Sequence, residues 1–596
     1  MAKGTLSRSQ NDTTKHESLS LPGLLGITYL PGDPPALRAD LFRRMCDRLR
    51  GPHDRLEVHE TPDCALAVSR LDTDAGPDRL IVSPGQAIAF DATSRGDESP
   101  RYNKDTSPHP LHGDESPCHL TPPSALAIWN PRDRSLRLLS DRYGFSPLSY
   151  TVRQGRFLFA SSALALLASP GDPPHLDPHA VSDLLSFGHL LEDRTLVEDI
   201  RLLPPASILT WRDGQVSLSR TWTPAYREDE GGPSGPDAVR QMADRLHEAV
   251  RRCSGDPIGV LLSGGLDSRT LVAIASRLHR ITALTFGEPG TDDLEIARRV
   301  AHLLEVEHHT FEISPDDLPR YAGSIVRRTD GALNLHHACA AGAFPAIRER
   351  CAAVLSGMHL LGSFVPSRLK AGESVLPFLI PPLPRETRRA LLTDGCFEQT
   401  ERHIPESLAA VEAACPFRSP VNRLDALDIA QRQRRFILAG LLPLRDRVEV
   451  RLPLFDEDLM GFVRGVAPSL RADQRLYIDA FCHLFPDLAR IPWAKTGLPV
   501  SASPPRRRLA RLWRRLRGHR PRPSLAFTGT WHARSPALRA FERDLLLGQT
   551  ARQRGIFRPD AVERLLSEQE QGLHDHWDLI GRMVTLELWC QVMATE

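Results

Sequence analysis

The chain has 596 residues, 75 basic and 74 acidic side chains and an apolar share of 41%. Its length predicts two to four domains with sizeable cores, and its balanced charge excludes a global electrostatic pull toward nucleic acid or a membrane surface. No run of about 18 apolar residues is present, so no transmembrane helix is expected.

The first 20 residues are polar and lack an apolar signal region, which predicts a disordered lead-in. Ten cysteines are scattered singly from Cys46 to Cys590 without a C-x-x-C pair. That usage predicts reduced thiols and a cytoplasmic protein. Residues 21–230 carry short apolar stretches broken by Gly, Pro and Asp: 64–71, 79–84, 124–130, 135–141 and 156–162. These read as strands of a layered, mostly β domain. The polar stretch 91–121, with two copies of Gly-Asp-Glu-Ser-Pro, reads as a loop.

From about residue 231 the pattern changes to alternating strands and helices, which implies a doubly wound parallel sheet over 231–500. Residues 236–253 have helical apolar spacing, PIGVLLSGG is a strand entering a glycine turn, and DSRTLVAIASRLH is the helix after it. ITALTFG is a second strand, DDLEIARRVAHLLE a further helix, and 351–357 a third strand. The part from 501 to 596 reads as a helical extension, with nine arginines between Arg506 and Arg522. A solvated basic face is the ordinary fate of such a run, and contact with a peptide or partner protein is the alternative.

The segment with the clearest chemistry is Ser263-Gly264-Gly265-Leu266-Asp267-Ser268. A strand that ends in a tight Ser-Gly-Gly turn and starts a helix at once presents backbone N–H groups to an anion. Glycine lets a phosphate approach closely, the hydroxyls of Ser263 and Ser268 add donors, and Asp267 suits a magnesium ion bridging phosphates. No lysine follows the glycines, so this is not the Walker pattern.

The motif resembles the pyrophosphate loop of enzymes that cleave ATP between the α and β phosphates. Residues 284–313 resemble the asparagine synthetase pattern of a "TFS" strand followed by D-x-x-x-A-x-x-x-A-x-x-L-x-x-x-H-H. By that resemblance Leu284, Thr285 and Phe286 line an adenine pocket. VEVRLPLFDEDLMGFV resembles the family element E-x-R-x-P-F-L-D, which puts Glu449 among the expected catalytic residues. FPDLARIPWAKTGLPV resembles W-x-x-K-x-G-F, and Lys495 falls on the lysine that meets developing phosphate charge.

The N-terminal half resembles the family's glutaminase domain through Arg50-Gly51-Pro52-His53-Asp54, Asp141 to Leu148, Phe159-Ala160-Ser161-Ser162 and Leu202 to Ala206. The resemblance implies an α+β glutaminase-like sandwich followed by the ATP-pyrophosphatase domain, with ATP and Mg2+ as cofactors. Two departures stand out. Glutaminase members use an N-terminal cysteine, whereas Ala2 follows Met1 and the first cysteine is Cys46, which predicts no glutamine hydrolysis. The family's S-G-x-G-x-D-E element is reduced to Ser356-Gly357-Met358-His359, without the acidic residue that holds magnesium. Ser356 and Gly357 remain as binding residues, and Asp330 is the candidate second metal carboxylate beside Asp267.

Three functions stay open on these residues. One is an amide-forming ligase that joins a substrate carboxylate to a substrate amine, in the manner of lasso-peptide cyclases and β-lactam synthetases, with a precursor peptide and a partner protease implied. The second is asparagine synthesis with free ammonia, and the third a non-catalytic nucleotide-binding relative. Some tRNA enzymes share the Ser-Gly-Gly-x-Asp-Ser loop but lack the glutaminase-like half, so no nucleic-acid partner is expected. The histidine pairs His308–His309 and His336–His337 read as packing or surface residues, since adjacent side chains diverge.

Overall fold

The structure, a computed structural model, describes residues 23–49, 54–71, 80–83, 86–92, 124–168, 173–255, 257–358, 369–502, 525–526 and 528–595. The 1–20 lead-in, Arg50 to His53, most of the 91–121 loop, His359 to Ser363 and the 506–522 arginine run lie outside them.

The N-terminal half is built from twelve strands: β1 (Gly23–Thr28), β2 (Asp54–Glu60), β3 (Cys64–Leu71), β4 (Leu80–Ser83), β5 (Gln86–Ala92), β6 (Ser124–Asn130), β7 (Ser135–Ser140), β8 (Ser149–Arg153), β9 (Arg156–Ala160), β10 (Arg201–Leu202), β11 (Ser207–Arg212) and β12 (Gln215–Arg220). They form two six-stranded sheets, ordered β10-β8-β9-β1-β3-β2 and β12-β11-β7-β6-β5-β4. Every pairing in them is antiparallel. Two hairpins turn on dipeptides with both residues at positive φ, Gln154-Gly155 and Asp213-Gly214. That backbone matches the right-handed twist of the flanking strands. Strand β5 runs to Ala92, so residues 91 and 92 of the stretch expected as a loop lie in a strand.

Leu24, Leu66, Val68, Trp129, Leu138, Phe157, Phe159 and Leu209 fill the space between the sheets. Alternation along each strand sends these residues to one face. Helices α1 (Pro35–Leu49) and α2 (Ala163–Leu166) cover the other face of the β1 sheet. The helix α3 (Pro178–Phe187) leads toward the second half of the chain, its N-terminus capped by Asp177.

The second half holds a five-stranded sheet ordered β15-β14-β13-β16-β17, from β13 (Ile258–Leu261), β14 (Ile281–Gly287), β15 (Glu307–Glu312), β16 (Ala353–Leu355) and β17 (Glu449–Arg451). All four pairings are parallel. Helices α4 (Gly235–Cys253), α5 (Leu266–Leu278), α6 (Asp292–Leu303) and α7 (Asp317–Arg328) connect and flank these strands. Along α4 the buried residues are Ala238, Met242, Ala243, Leu246, Ala249 and Val250, the stripe expected of a helix lying on a sheet.

The two halves meet on the Asp141–Leu148 turn. The buried carboxylate of Asp141 accepts from the amides of Tyr143, Phe145 and Ser146 at 2.9–3.2 Å, which folds the turn tightly. Arg142 pairs with Glu457 at 2.5 Å, and Arg464 donates to the Tyr143 hydroxyl at 2.8 Å. The family-like Asp-Arg-x-Gly run therefore serves as the junction between the halves.

The C-terminal part is helical where described and packs on the rest of the chain. The Trp577–Thr595 helix is buried on nearly every side and packs on α3, α7 and the Leu335–His337 turn. Beneath it Glu542 is fully buried and shared by two imidazoles, His336 at 2.9 Å and His532 at 2.6 Å. Burial alone would raise this carboxyl, but the two histidine hydrogen bonds outweigh it and hold it below the usual carboxylate range. Replacing Glu542 with leucine strands two buried imidazoles. The expected cost is about 3 kcal/mol, read as a lower urea midpoint for the C-terminal helices.

Candidate active site

The site forms where parallel strands end, the usual place for a ligand crevice in such sheets. At the end of β13 the Leu262 amide donates to the Leu284 carbonyl at 2.8 Å, and the Thr285 hydroxyl donates to the Leu262 carbonyl at 2.8 Å. Leu284 is wholly buried, Thr285 also meets His308 Nε2 at 2.9 Å, and Phe286 packs edge-on to Phe344. Burial pulls the His308 imidazole down to about 4, so it is neutral near pH 7.

The loop holds its own shape. The Ser263 amide donates to Ser268 Oγ at 3.1 Å, and the Gly265 amide donates to Ser263 Oγ at 3.1 Å. The Gly264 amide donates to Asp293 Oδ1 at 2.7 Å. These three amides are spent on bracing. The start of α5 is different: no side chain caps it, so its first N–H groups face outward. Gly357, at the end of β16, keeps that face open, because a Cβ there would sit 2.8 Å from the Ser268 nitrogen. Ser356 beside it is buried, its amide tied to the Arg451 carbonyl at 2.9 Å.

Asp267 enters on the first turn of α5. One of its carboxylate oxygens is buried and has no hydrogen-bond partner. Tyr477, from the Arg475–Leu484 helix, hydrogen-bonds to the carboxylate and meets Thr270 Oγ1 at 2.9 Å. Burial pushes the Asp267 carboxyl up to about 7, against the opposing pull of Tyr477 and Lys495. Lys495 lies 5.8 Å from the Trp493 ring centre, and burial lowers its ammonium from the ordinary range while Asp267 opposes the shift. The Ser263–Ser268 loop, Asp267, Ser356, Gly357 and Lys495 thus converge on one end of the sheet. A buried carboxylate oxygen without a partner, an uncapped helix start and a glycine cradle fit a phosphate-bound magnesium ion.

Glu449 does not join this group. It lies at the first position of β17, in register with Ala353 at the first position of β16. The loop stands at the other end of those strands. Glu449 instead holds Arg451 through two contacts of 3.0 and 3.1 Å, and Arg451 donates to the Cys253 carbonyl.

Asp330 is likewise engaged elsewhere. Its carboxylate accepts from Ser162 Oγ and the Ala163 amide, both at 2.7 Å, and so caps α2 of the N-terminal half. The structure thus places it at the junction with the N-terminal half. Asp293 and Arg269 were not foreseen. Asp293 braces Gly264, and burial raises its carboxyl to about 6. Arg269 is fully buried and donates to the carbonyls of Gly264, Ile491 and Pro492, joining the loop to the Lys495 segment. The acidic pair Asp292-Asp293 at a helix start was the signal for Asp293; nothing local pointed to Arg269.

An antiparallel sandwich joined to a parallel sheet with this loop defines an amidotransferase-like half coupled to a synthase-like half. The asparagine synthase family matches residues 241–358, and the glutamine amidotransferase domain family matches residues 112–223. Asparagine synthetase [glutamine-hydrolyzing] 1 of Bacillus subtilis (strain 168) is 27% identical over 219 residues, 35% of this chain and 34% of that protein. Asparagine synthetase [glutamine-hydrolyzing] 3 of the same strain is 30% identical over 161 residues, 26% of each chain. Amidase chyE of Penicillium rubens is 27% identical over 223 residues, 34% of this chain and 33% of that protein. The chain spans about a third or less of the length of these relatives. Over these residues the chain is similar to asparagine synthetases.

Proposed function

We propose that this protein is an ATP-dependent ligase that adenylates a substrate carboxylate, releases pyrophosphate and forms an amide with a substrate amine, without hydrolysing glutamine. The observation that carries the reading is Asp267: a buried carboxylate oxygen without a partner, at an uncapped helix start, within the field of Lys495. When bound, ATP and Mg2+ supply an activated phosphorus and a pyrophosphate leaving group. Asp267 would hold the magnesium ion, the α5 amides would take phosphate oxygens, and Lys495 would meet charge as it develops. Tyr477 holds the Asp267 carboxylate in place.

The absence of glutamine hydrolysis is supported by the cysteines of the described sandwich. Cys46 and Cys64 are buried, and burial pushes the Cys64 thiol well up, whereas a nucleophilic cysteine needs an accessible thiolate. A peptide carboxylate, cyclised onto its own amine in natural-product biosynthesis, fits best with a lost glutaminase, and a precursor peptide with its protease would then be the partners. Relatives named amidase support a scaffold not confined to asparagine synthetases. Ammonia-dependent asparagine synthesis is the second reading. The missing acidic residue after Gly357 favours a third, a nucleotide-binding relative without turnover.

The test is pyrophosphate release from Mg2+ and ATP with a peptide panel, with aspartate plus ammonia, and with Asp267→Ala as control. Peptide-dependent release lost in the variant supports the ligase; a response to aspartate alone moves the conclusion to the second reading. ATP binding with no release under any condition leaves the third. Glutamate formation from glutamine would overturn the inactive sandwich.

Proton linkage gives a further expected result. A cation needs Asp267 deprotonated, and its carboxyl sits near 7 in the ligand-free protein. Affinity for Mg2+ with ATP should therefore rise about tenfold from pH 6 to 8, most of it below pH 7. In the folded chain Asp267 keeps a proton that the unfolded chain loses above about pH 4. Ligand-free stability thus falls from about pH 4 to about pH 7 and levels off above, and Mg2+ with ATP opposes the trend. Calorimetry in buffers of different ionisation enthalpy reads the released proton, and a pH-independent affinity with no proton release counts against Asp267 as the metal carboxylate.

A further inference from the structure

Away from the loop, α3 and the Asp394–Ala413 helix pack side by side. His403 and Glu406 are one helical turn apart on the second helix and project from one face. His179 faces them from the first turn of α3, where the Asp177 carboxylate fixes its backbone by accepting from the His179 amide at 2.9 Å. The Ser182 hydroxyl donates to the Thr400 carbonyl at 3.2 Å and ties the two helices.

His403 Nδ1 is 3.1 Å and His179 Nε2 is 3.7 Å from the same Glu406 oxygen. The two imidazole centres are 3.6 Å apart. One ligand atom from each of the three residues lies within 4.8 Å of the others. Among the described residues this is the one such group of three. Ligands about 2.0–2.1 Å from a tetrahedral ion stand about 3.3 Å from one another, and the two measured separations bracket that value.

We propose that His179, His403 and Glu406 form a divalent-metal site of the zinc class, which clasps α3 to the Asp394–Ala413 helix. Two imidazole nitrogens and one carboxylate are the donor set such an ion prefers over magnesium or calcium. Glu406 is 54% exposed in its side chain, so the ion has an entry path and a water can fill the fourth position. His403 is 6% exposed and gives the site a rigid floor. An exposed carboxylate shared by two stacked imidazoles stabilises little by itself. An ion among them accounts for their convergence. The neighbouring charges offset each other: Arg194 and Arg402 oppose a cation, while Asp177 favours it and Asp183 pairs with Arg194 at 3.2 Å. The clasp joins an element of the sandwich-bearing half to one of the synthase-bearing half, and it is independent of the nucleotide reading.

The experiment is a zinc titration of the tag-free full chain against a chromophoric chelator. The chain has 23 histidines, so variants decide where the ion sits. One saturable site is expected in the unmodified protein. Glu406→Gln and His179→Gln should each weaken it at least about tenfold, since losing a ligand exceeds the effect of losing an outer-shell partner. Both changes are at partly exposed positions and leave the fold testable if the buried His403→Ala fails to fold. Zinc should raise the Tm of the unmodified protein and leave Glu406→Gln unmoved, and cobalt should give the visible absorption of a four-coordinate ion. No saturable zinc binding, or an affinity unchanged in both Glu406→Gln and His179→Gln, overturns the proposal.

Discussion

Lys495→Met is expected to slow substrate-dependent pyrophosphate release by about 10^3-fold while changing ATP affinity less than about tenfold. The asymmetry follows from where the ammonium acts. On the proposed reading the α5 amides and a magnesium ion held by Asp267 would take phosphate oxygens already in the ground state, so they would carry binding. A lysine near the reacting phosphorus is needed most when charge spreads in the transition state. Lys495 is exposed and shares its surroundings with Trp493 and Asp267, so a bound nucleotide would take its charge out of water. Methionine keeps the length and apolar stem of the side chain and removes only the charge. Lys495→Arg should recover little, because a planar fork does not replace a compact cation on a flexible stem. Steady-state rates and nucleotide binding measured on the same preparations decide the matter. Equal losses in binding and rate would make Lys495 a ground-state contact, and full activity would remove it from the site.

How far the sequence could be read depended on whether the information was local. The strand, glycine turn and helix around Ser263–Ser268 announce themselves within ten residues, so Asp267 and the uncapped helix start were legible. Lys495 was reachable only through a family-like element, and the structure brings its charge to Asp267. The motif of Glu449 was visible, but which end of β17 it occupies depends on pairing with β16. The partners of Asp330 depend on backbone geometry. It sits at φ 49°, a left-handed position at the end of α7 that turns its carboxylate to the distant Ser162–Leu164 turn. The last helix lacks a polar side in sequence, which is what a helix buried on nearly every side looks like.

The second large effect belongs to a residue with no motif. Arg269→Met is expected to destabilise the synthase-like half by about 3 kcal/mol and to lower pyrophosphate release along with it. Arg269 is wholly buried, yet it carries a guanidinium that reaches the carbonyls of Gly264, Ile491 and Pro492. Burial lowers it to about 10, with Asp293 opposing, so it remains charged at pH 7. Methionine fills most of the volume but leaves the Ile491 and Pro492 carbonyls without this donor and Asp293 without its nearby cation. Gly264 keeps one partner, since the Ala494 amide donates to its carbonyl at 3.2 Å. The loop and the turn that carries Lys495 then lose their shared strut, and the geometry of the site loosens even in molecules that remain folded. Urea unfolding gives the stability change. Amide exchange at 263–268 and 491–495 reports the loosening, which should be confined to those two segments. Arg269→Lys should recover part of the stability but little of the exchange protection, because one ammonium cannot span three carbonyls that a fixed fork reaches. An unchanged midpoint with unchanged exchange in Arg269→Met would mean that the loop holds itself through Ser263, Ser268 and Asp293, with no need of the arginine.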